Sequence, residues 1–186
     1  MSEMILMHPC ERIDDLCADG RRIIQRTDEF CFSMDAVLLA HFPRLTGRER
    51  VLDLGTGTGV IPLLIADGAA EITAVERNPV QAALAVRNVR GNNLAEKITV
   101  REGDYREPSA LFACASYDVV FSNPPYRPVQ SGAVSMGARA AARHEITATL
   151  ADTMRAAAYA LKHGGRLAMV HLPERLGEIV FALHAE

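Results

Sequence analysis

No stretch of the chain reaches the ~18 uninterrupted apolar residues that a membrane-crossing helix needs. Residues 1–15 carry acidic groups and lack a positive region followed by an apolar block, so neither a secretory leader nor a membrane association is expected. The four cysteines, Cys10, Cys17, Cys31 and Cys114, form no C-x-x-C pair and have no partnering histidine tract. That pattern excludes a disulfide framework and a metal site, and it points to reduced thiols in a cytoplasmic protein. Positive charge is short as well: 20 Lys and Arg stand against 23 Asp and Glu, for a net charge of -3. General coating of nucleic acid is thereby excluded, although a local basic patch is not. Lysine is almost missing, because all the basic residues except Lys97 and Lys162 are arginine. An arginine at any single surface position therefore says little. What is present is 186 residues, 49% of them hydrophobic, enough for one domain with a core.

From Arg50 onward, strand and helix patterns alternate. Strands are expected at Arg50–Leu54, Glu71–Glu76, Lys97–Arg101, Tyr117–Phe121 and Arg166–Leu172. Helices are expected from Val60 to about Asp67, from Pro79 to Gly91 with Asn78 as cap, and from Thr149, with Asp152 completing a capping box, to Gly164-Gly165. Pro173 is read as the start of a last helix. Five strands separated by helices imply an α/β fold, with a doubly wound, mostly parallel sheet covered on both faces. Residues 1–45 read as a hairpin and helix extension. In it, Asp19-Gly20 turns between two short strands and Ser33 caps an apolar helix that ends near Phe42. That helix is either a lid over the core or a wall facing a ligand. Residues 46–186 form the main domain.

The chemistry gathers where the strands end. Gly55-Thr56-Gly57-Thr58-Gly59 follows the apolar run Val51-Leu52-Asp53-Leu54, and a helix follows it. This order lets a ligand approach bare backbone at a helix N-terminus. A dinucleotide fingerprint needs G-x-G-x-x-G, and here Val60 stands at the third glycine's place, so a nicotinamide oxidoreductase is disfavoured. Glu76 closes the second strand, where a carboxylate can accept from two ribose hydroxyls. Asp104, just past the third, can accept from an adenine amino group. Asp53 is expected to face the cationic side of the ligand or to hold the loop through backbone amides. Asn123-Pro124-Pro125-Tyr126 follows the fourth strand, and its prolines fix the backbone. The Asn123 side-chain oxygen and the Pro124 carbonyl are two acceptors that can bind both N–H groups of an exocyclic amine and free its lone pair. Tyr126 can stack on a planar target.

The glycine turn after an Asp-bearing strand resembles motif I of the class I S-adenosylmethionine-dependent methyltransferases. Together with NPPY it resembles their amino-methylating members. Within these the chain is similar to the bacterial tRNA adenine-N6-methyltransferases that modify an anticodon-loop adenine of a valine tRNA. The narrower match rests on Gln25 to Ala40, on Ala142-Arg143-His144-Glu145 and on Leu172-Pro173-Glu174. The resemblance implies S-adenosyl-L-methionine as cofactor, held by Gln25, Asp35, Asp53, Gly55, Thr56, Gly57, Gly59, Glu76, Arg77, Asp104, Tyr105 and Asn123. It implies Asn123, Pro124 and Tyr126 as catalytic residues, and RNA, a tRNA in particular, as partner. Arg139 and Arg143, with Tyr126, are the candidate substrate contacts, and Arg21, Arg22 and Arg127 are further candidates for phosphate. His144 reads as a surface or packing residue. The fold it implies ordinarily continues into two more strands, for which no pattern is seen by Glu186. Either the chain is C-terminally truncated or its sheet ends early without the final strand pair, leaving an edge open to pairing, with the oligomeric state left open. Two alternatives stand beside this reading. One is a protein glutamine-N5 methyltransferase using the same NPPY chemistry, and the other is a subunit that binds cofactor without turnover.

Overall fold

The computed structural model describes residues 7–16, 19–29, 31–124 and 148–186. Strands β1 (Glu11–Asp15) and β2 (Arg22–Arg26) form an antiparallel hairpin. Helix α1 (Met34–His41) follows, then β3 (Arg50–Leu54), α2 (Val60–Ile65), β4 (Glu71–Glu76), α3 (Pro79–Gly91) and β5 (Ile98–Glu102). The second half runs through α4 (Pro108–Leu111), β6 (Tyr117–Ser122), α5 (Leu150–Ala160), β7 (Leu161–Met169) and α6 (Leu176–Ala185). Short 3-10 turns close α2 at Ala66–Gly68 and lead into α6 at Pro173–Arg175. The main sheet has the order β5-β4-β3-β6-β7, and every pair in it is parallel. The expected doubly wound sheet is therefore what forms.

The strands β3, β4 and β6 are nearly continuous apolar runs because both of their faces are covered. Val51, Val119 and Phe121 pack with α1 and α2 residues such as Leu39 and Leu63, while Leu52, Leu54 and Val120 pack with Ala156 and Ala157 of α5. The chain moves outward from β3 in one direction through β4 and in the other through β6. Between those two turns, at the carboxyl end of β3, lies the crevice where ligands of open parallel sheets bind.

Local chemistry explains the boundaries. The Asn78 side chain accepts from the Val80 and Gln81 amides, and Pro79 occupies the first helical position of α3. Thr149 and Asp152 form the reciprocal capping box of α5. Two expectations need correction, and one helix was not expected. Ser33 stands at the N-cap of α1 but makes no capping bond, because its hydroxyl lies 3.2 Å from the Asp35 carboxylate instead. Gly164-Gly165 does not end α5, which stops at Ala160. The pair lies inside β7, where the register against β6 shifts and Gly164 takes a positive φ. Helix α4 was not foreseen; four residues opened by Pro108 give no readable period.

Candidate functional site

Glycine loop and strand ends meet in one cavity of about 450 Å³. Gly55, Thr56, Gly57 and Thr58 form its floor, with Glu76 and Arg77 after β4, Asp104 and Tyr105 after β5, and Asn123 and Pro124 after β6. Glu29, Phe32 and Ala36, from the segment leading into α1, supply another wall. Helix α1 thus plays both of the roles considered for it: Leu39 and Ala40 bury in the core, and Ala36 reaches the cavity.

Backbone geometry makes the floor. The Gly55 and Thr56 amides both donate to the Val75 carbonyl at 2.9 Å, which pulls the loop onto β4. Gly59 adopts φ +87°, and a Cβ there would sit 3.4 Å from that of Ala85 on α3, so the turn into α2 favours glycine twice over. Glu76 locks the loop from the other side. Its Oε2 accepts from the Gly57 amide at 2.8 Å and its Oε1 from the Asn78 amide at 2.7 Å. Burial raises the pKa of this carboxyl, against the pull of those amides.

Asp53 departs from expectation. It is fully buried two residues before the floor, does not line the cavity, and neither carboxylate oxygen has a hydrogen-bond partner among the described residues. It therefore holds no backbone amide; Glu76 does that work. Desolvation pushes its carboxyl up to about 7. The charge of the neighbouring Glu76 adds to the rise. Asp104 lies on the opposite side of the scale. A two-pronged bond from Arg106, with Arg77 at 3.2 Å, holds its carboxyl below the usual range. The Tyr105 hydroxyl bonds Thr153 at 3.2 Å, and burial pushes it up to about 12.

Four of the expected cofactor residues do not line the cavity: Gln25, Asp35, Asp53 and Gly59. Gln25 is buried and spends its amide elsewhere, donating to Asp14 and accepting from the Phe32 amide at 2.8 Å. It therefore sets the cavity wall from behind. Arg21 is not available to phosphate, because it donates to the Leu63 carbonyl and pairs with Asp67 at 2.6 Å. Tyr126, Arg139 and Arg143, with Arg127 and His144, lie outside the described residues. Glu29 and Phe32 fall within the Gln25–Ala40 segment that carries the family resemblance, but sequence reasoning did not single them out. It also missed Gln81, which lines the cavity and donates to Glu29 at 3.3 Å.

The donor set suits a cationic nucleoside ligand. Among the described residues, Glu29, Glu76 and Asp104 outnumber Arg77 on the walls, Phe32 and Tyr105 offer flat apolar surface, and the Thr56 hydroxyl of the floor has no partner. Comparison with known proteins agrees. Residues 33–177 match the family model described as the methyltransferase small domain. The chain is 34% identical over 152 residues to the tRNA1(Val) (adenine(37)-N6)-methyltransferase of Tolumonas auensis, covering 80% of this chain and 62% of that one. It is also 34% identical over 150 residues to the protein of the same name from Pasteurella multocida, covering 77% and 61%. It thus spans about three-fifths of the length of these curated relatives. The solved structure of P. horikoshii TYW2 in complex with MeSAdo shares the fold, with a TM-score of 0.66 at 16% identity over 92% of this chain and 58% of that one. By its glycine loop, its strand-end acids and the match over most of its length, the chain belongs to the methyltransferase small domain family.

Proposed function

We infer that the protein transfers a methyl group from S-adenosyl-L-methionine to the exocyclic N6 of an adenine in RNA, a tRNA in particular. The observation that carries this reading is the shared cavity: Glu76 and Asn123, from strands on opposite sides of β3, open onto the same space. The curated relatives support the choice of acceptor, since they are named as adenine-N6 methyltransferases of a tRNA.

The cofactor would supply an electrophilic methyl carried on a sulfonium. Glu76 keeps acceptor capacity for ribose hydroxyls beyond the two amides it holds. Asp104 accepts at the adenine end, with Arg106 keeping it ionised. Asn123 and the Pro124 carbonyl stand where β6 ends, beside the glycine loop that follows β3, because Ser122 pairs with Leu54. From there they accept the two N–H groups of the target amine, so that positioning and electrostatics supply much of the rate. Tyr126 would cover the base, and Arg139 and Arg143 would meet phosphate. A strong base is not required, because the proton leaves a cationic amine after transfer.

The test is transfer of labelled methyl to total tRNA, with the acceptor identified by mass spectrometry of the digested RNA. Incorporation as N6-methyladenine is expected, falling on the order of 100-fold or more in Asn123→Ala. Label in protein glutamine, or incorporation untouched by that substitution, would overturn the reading.

A further inference from the structure

Asn88 in helix α3 and Asn92 at its C-cap, one turn apart, bind β2 as a neighbouring strand would. Asn92 accepts from the Arg22 amide at 3.0 Å and donates to the Arg22 carbonyl at 2.7 Å. Asn88 does the same at Ile24, accepting at 2.7 Å and donating at 3.0 Å. Arg22 and Ile24 are two residues apart, so both clamps grip the same strand edge, the one facing away from β1. Arg87, beside Asn88, reaches β1 through a 2.6 Å ion pair with Glu11, whose side chain is 3% exposed. The whole hairpin, which precedes residues 33–177 of the family match, is thus mounted on α3.

The two clamps differ in one respect. The second amide hydrogen of Asn88 goes to the Thr58 carbonyl at 2.9 Å, whereas that of Asn92 returns to its own helix at the Asn88 carbonyl. Thr58 is part of the cavity floor, between Gly57 and Gly59, which both have positive φ. Glycine removes the steric restraint at those two positions, so the loop must be held from outside. Asn88 is 2% exposed, and all of its hydrogen-bonding groups are in use. Without it, three buried backbone groups lose their partner together.

We propose that Asn88 is a positioning residue for the cofactor site, joining the N-terminal hairpin to the glycine loop so that one amide fixes both the floor and, through Gln25 and Phe32, the facing wall. Its effect on cofactor affinity rests on the reading given under Proposed function; its effect on the loop does not.

Asn92→Ala is the matched control, since it removes an equivalent hairpin clamp without touching the loop. Hydrogen exchange of the 55–59 segment is measured on the free protein, and S-adenosylmethionine binding by calorimetry, for Asn88→Ala, Asn92→Ala and wild type. Asn88→Ser, which leaves room for a water, replaces the alanine variant if that does not fold. Asn88→Ala is expected to speed exchange at 55–59 and to weaken binding, each on the order of tenfold. Asn92→Ala is expected to lower the melting temperature while leaving both near wild type. Unchanged loop exchange in Asn88→Ala, or equal acceleration in both variants, overturns the proposal. If wild type binds no cofactor, the functional reading falls, and the exchange pattern still decides the role of Asn88.

Discussion

Asp53 carries a clear electrostatic cost: a carboxyl fully buried, with no partner on either oxygen among the described residues, beside the Glu76 carboxylate. Its pKa in the fold, about 7, is above its ordinary value of 3.8, so the folded protein holds this proton more tightly than the unfolded chain does. The stability Asp53 contributes is therefore present in full below about pH 4 and is lost as pH rises through 7. Glu11, Asp104, Asp118 and Asp152, whose pKa values are lowered, work in the opposite sense and lose their contributions as pH falls. Comparing wild type with Asp53→Asn isolates the one group. The variant is expected to gain relative stability by a few kcal/mol between pH 4 and 8 in urea melts. A difference that does not change with pH would contradict the assignment.

At the scale of elements, α5 matters beyond its own packing, because Thr153 on its first turn shares a hydrogen bond with the Tyr105 hydroxyl at the cavity wall. Thr149→Ala removes the hydroxyl that accepts from the Asp152 amide and frees that amide. It is expected to cost about 1 kcal/mol, seen as a melting-temperature drop of a few degrees. A variant that melts with wild type would show that the capping box contributes nothing. The same helix shows what was legible in the sequence. Its cap, like the Asn78-Pro79 start of α3 and the strand Glu71–Glu76, could be read because side chain and backbone interact within four residues. Its end could not. Gly164-Gly165 has the look of a terminator, yet the glycines lie in a register shift that only the pairing with β6 creates. Asn88 was illegible for a similar reason. A polar residue at position 88 of an amphipathic helix reads as solvent-facing until the hairpin folds against it.

Across the whole molecule, the sheet order gathers the site. Residues 55–58, 76–77, 104–105 and 123–124 are far apart in the chain and meet because β4 and β6 flank β3 and β5 lies beyond β4. The strand ends could be located from the alternating pattern, and so could the residues following them. Which of those side chains reach the cavity depended on tertiary detail. Asp53 and Gln25 stand behind its surface, while Glu29, Phe32 and Gln81 stand on it. The central claim is that an adenosyl cofactor lies across these strand tips with its ribose on Glu76. Calorimetric titration with S-adenosylhomocysteine tests it most directly. One site per chain is expected for wild type, with affinity lost by on the order of 100-fold in Glu76→Ala, which removes both the ribose acceptors and the Gly57 anchor. No binding to wild type, or equal binding to a folded Glu76→Ala variant, would contradict the account.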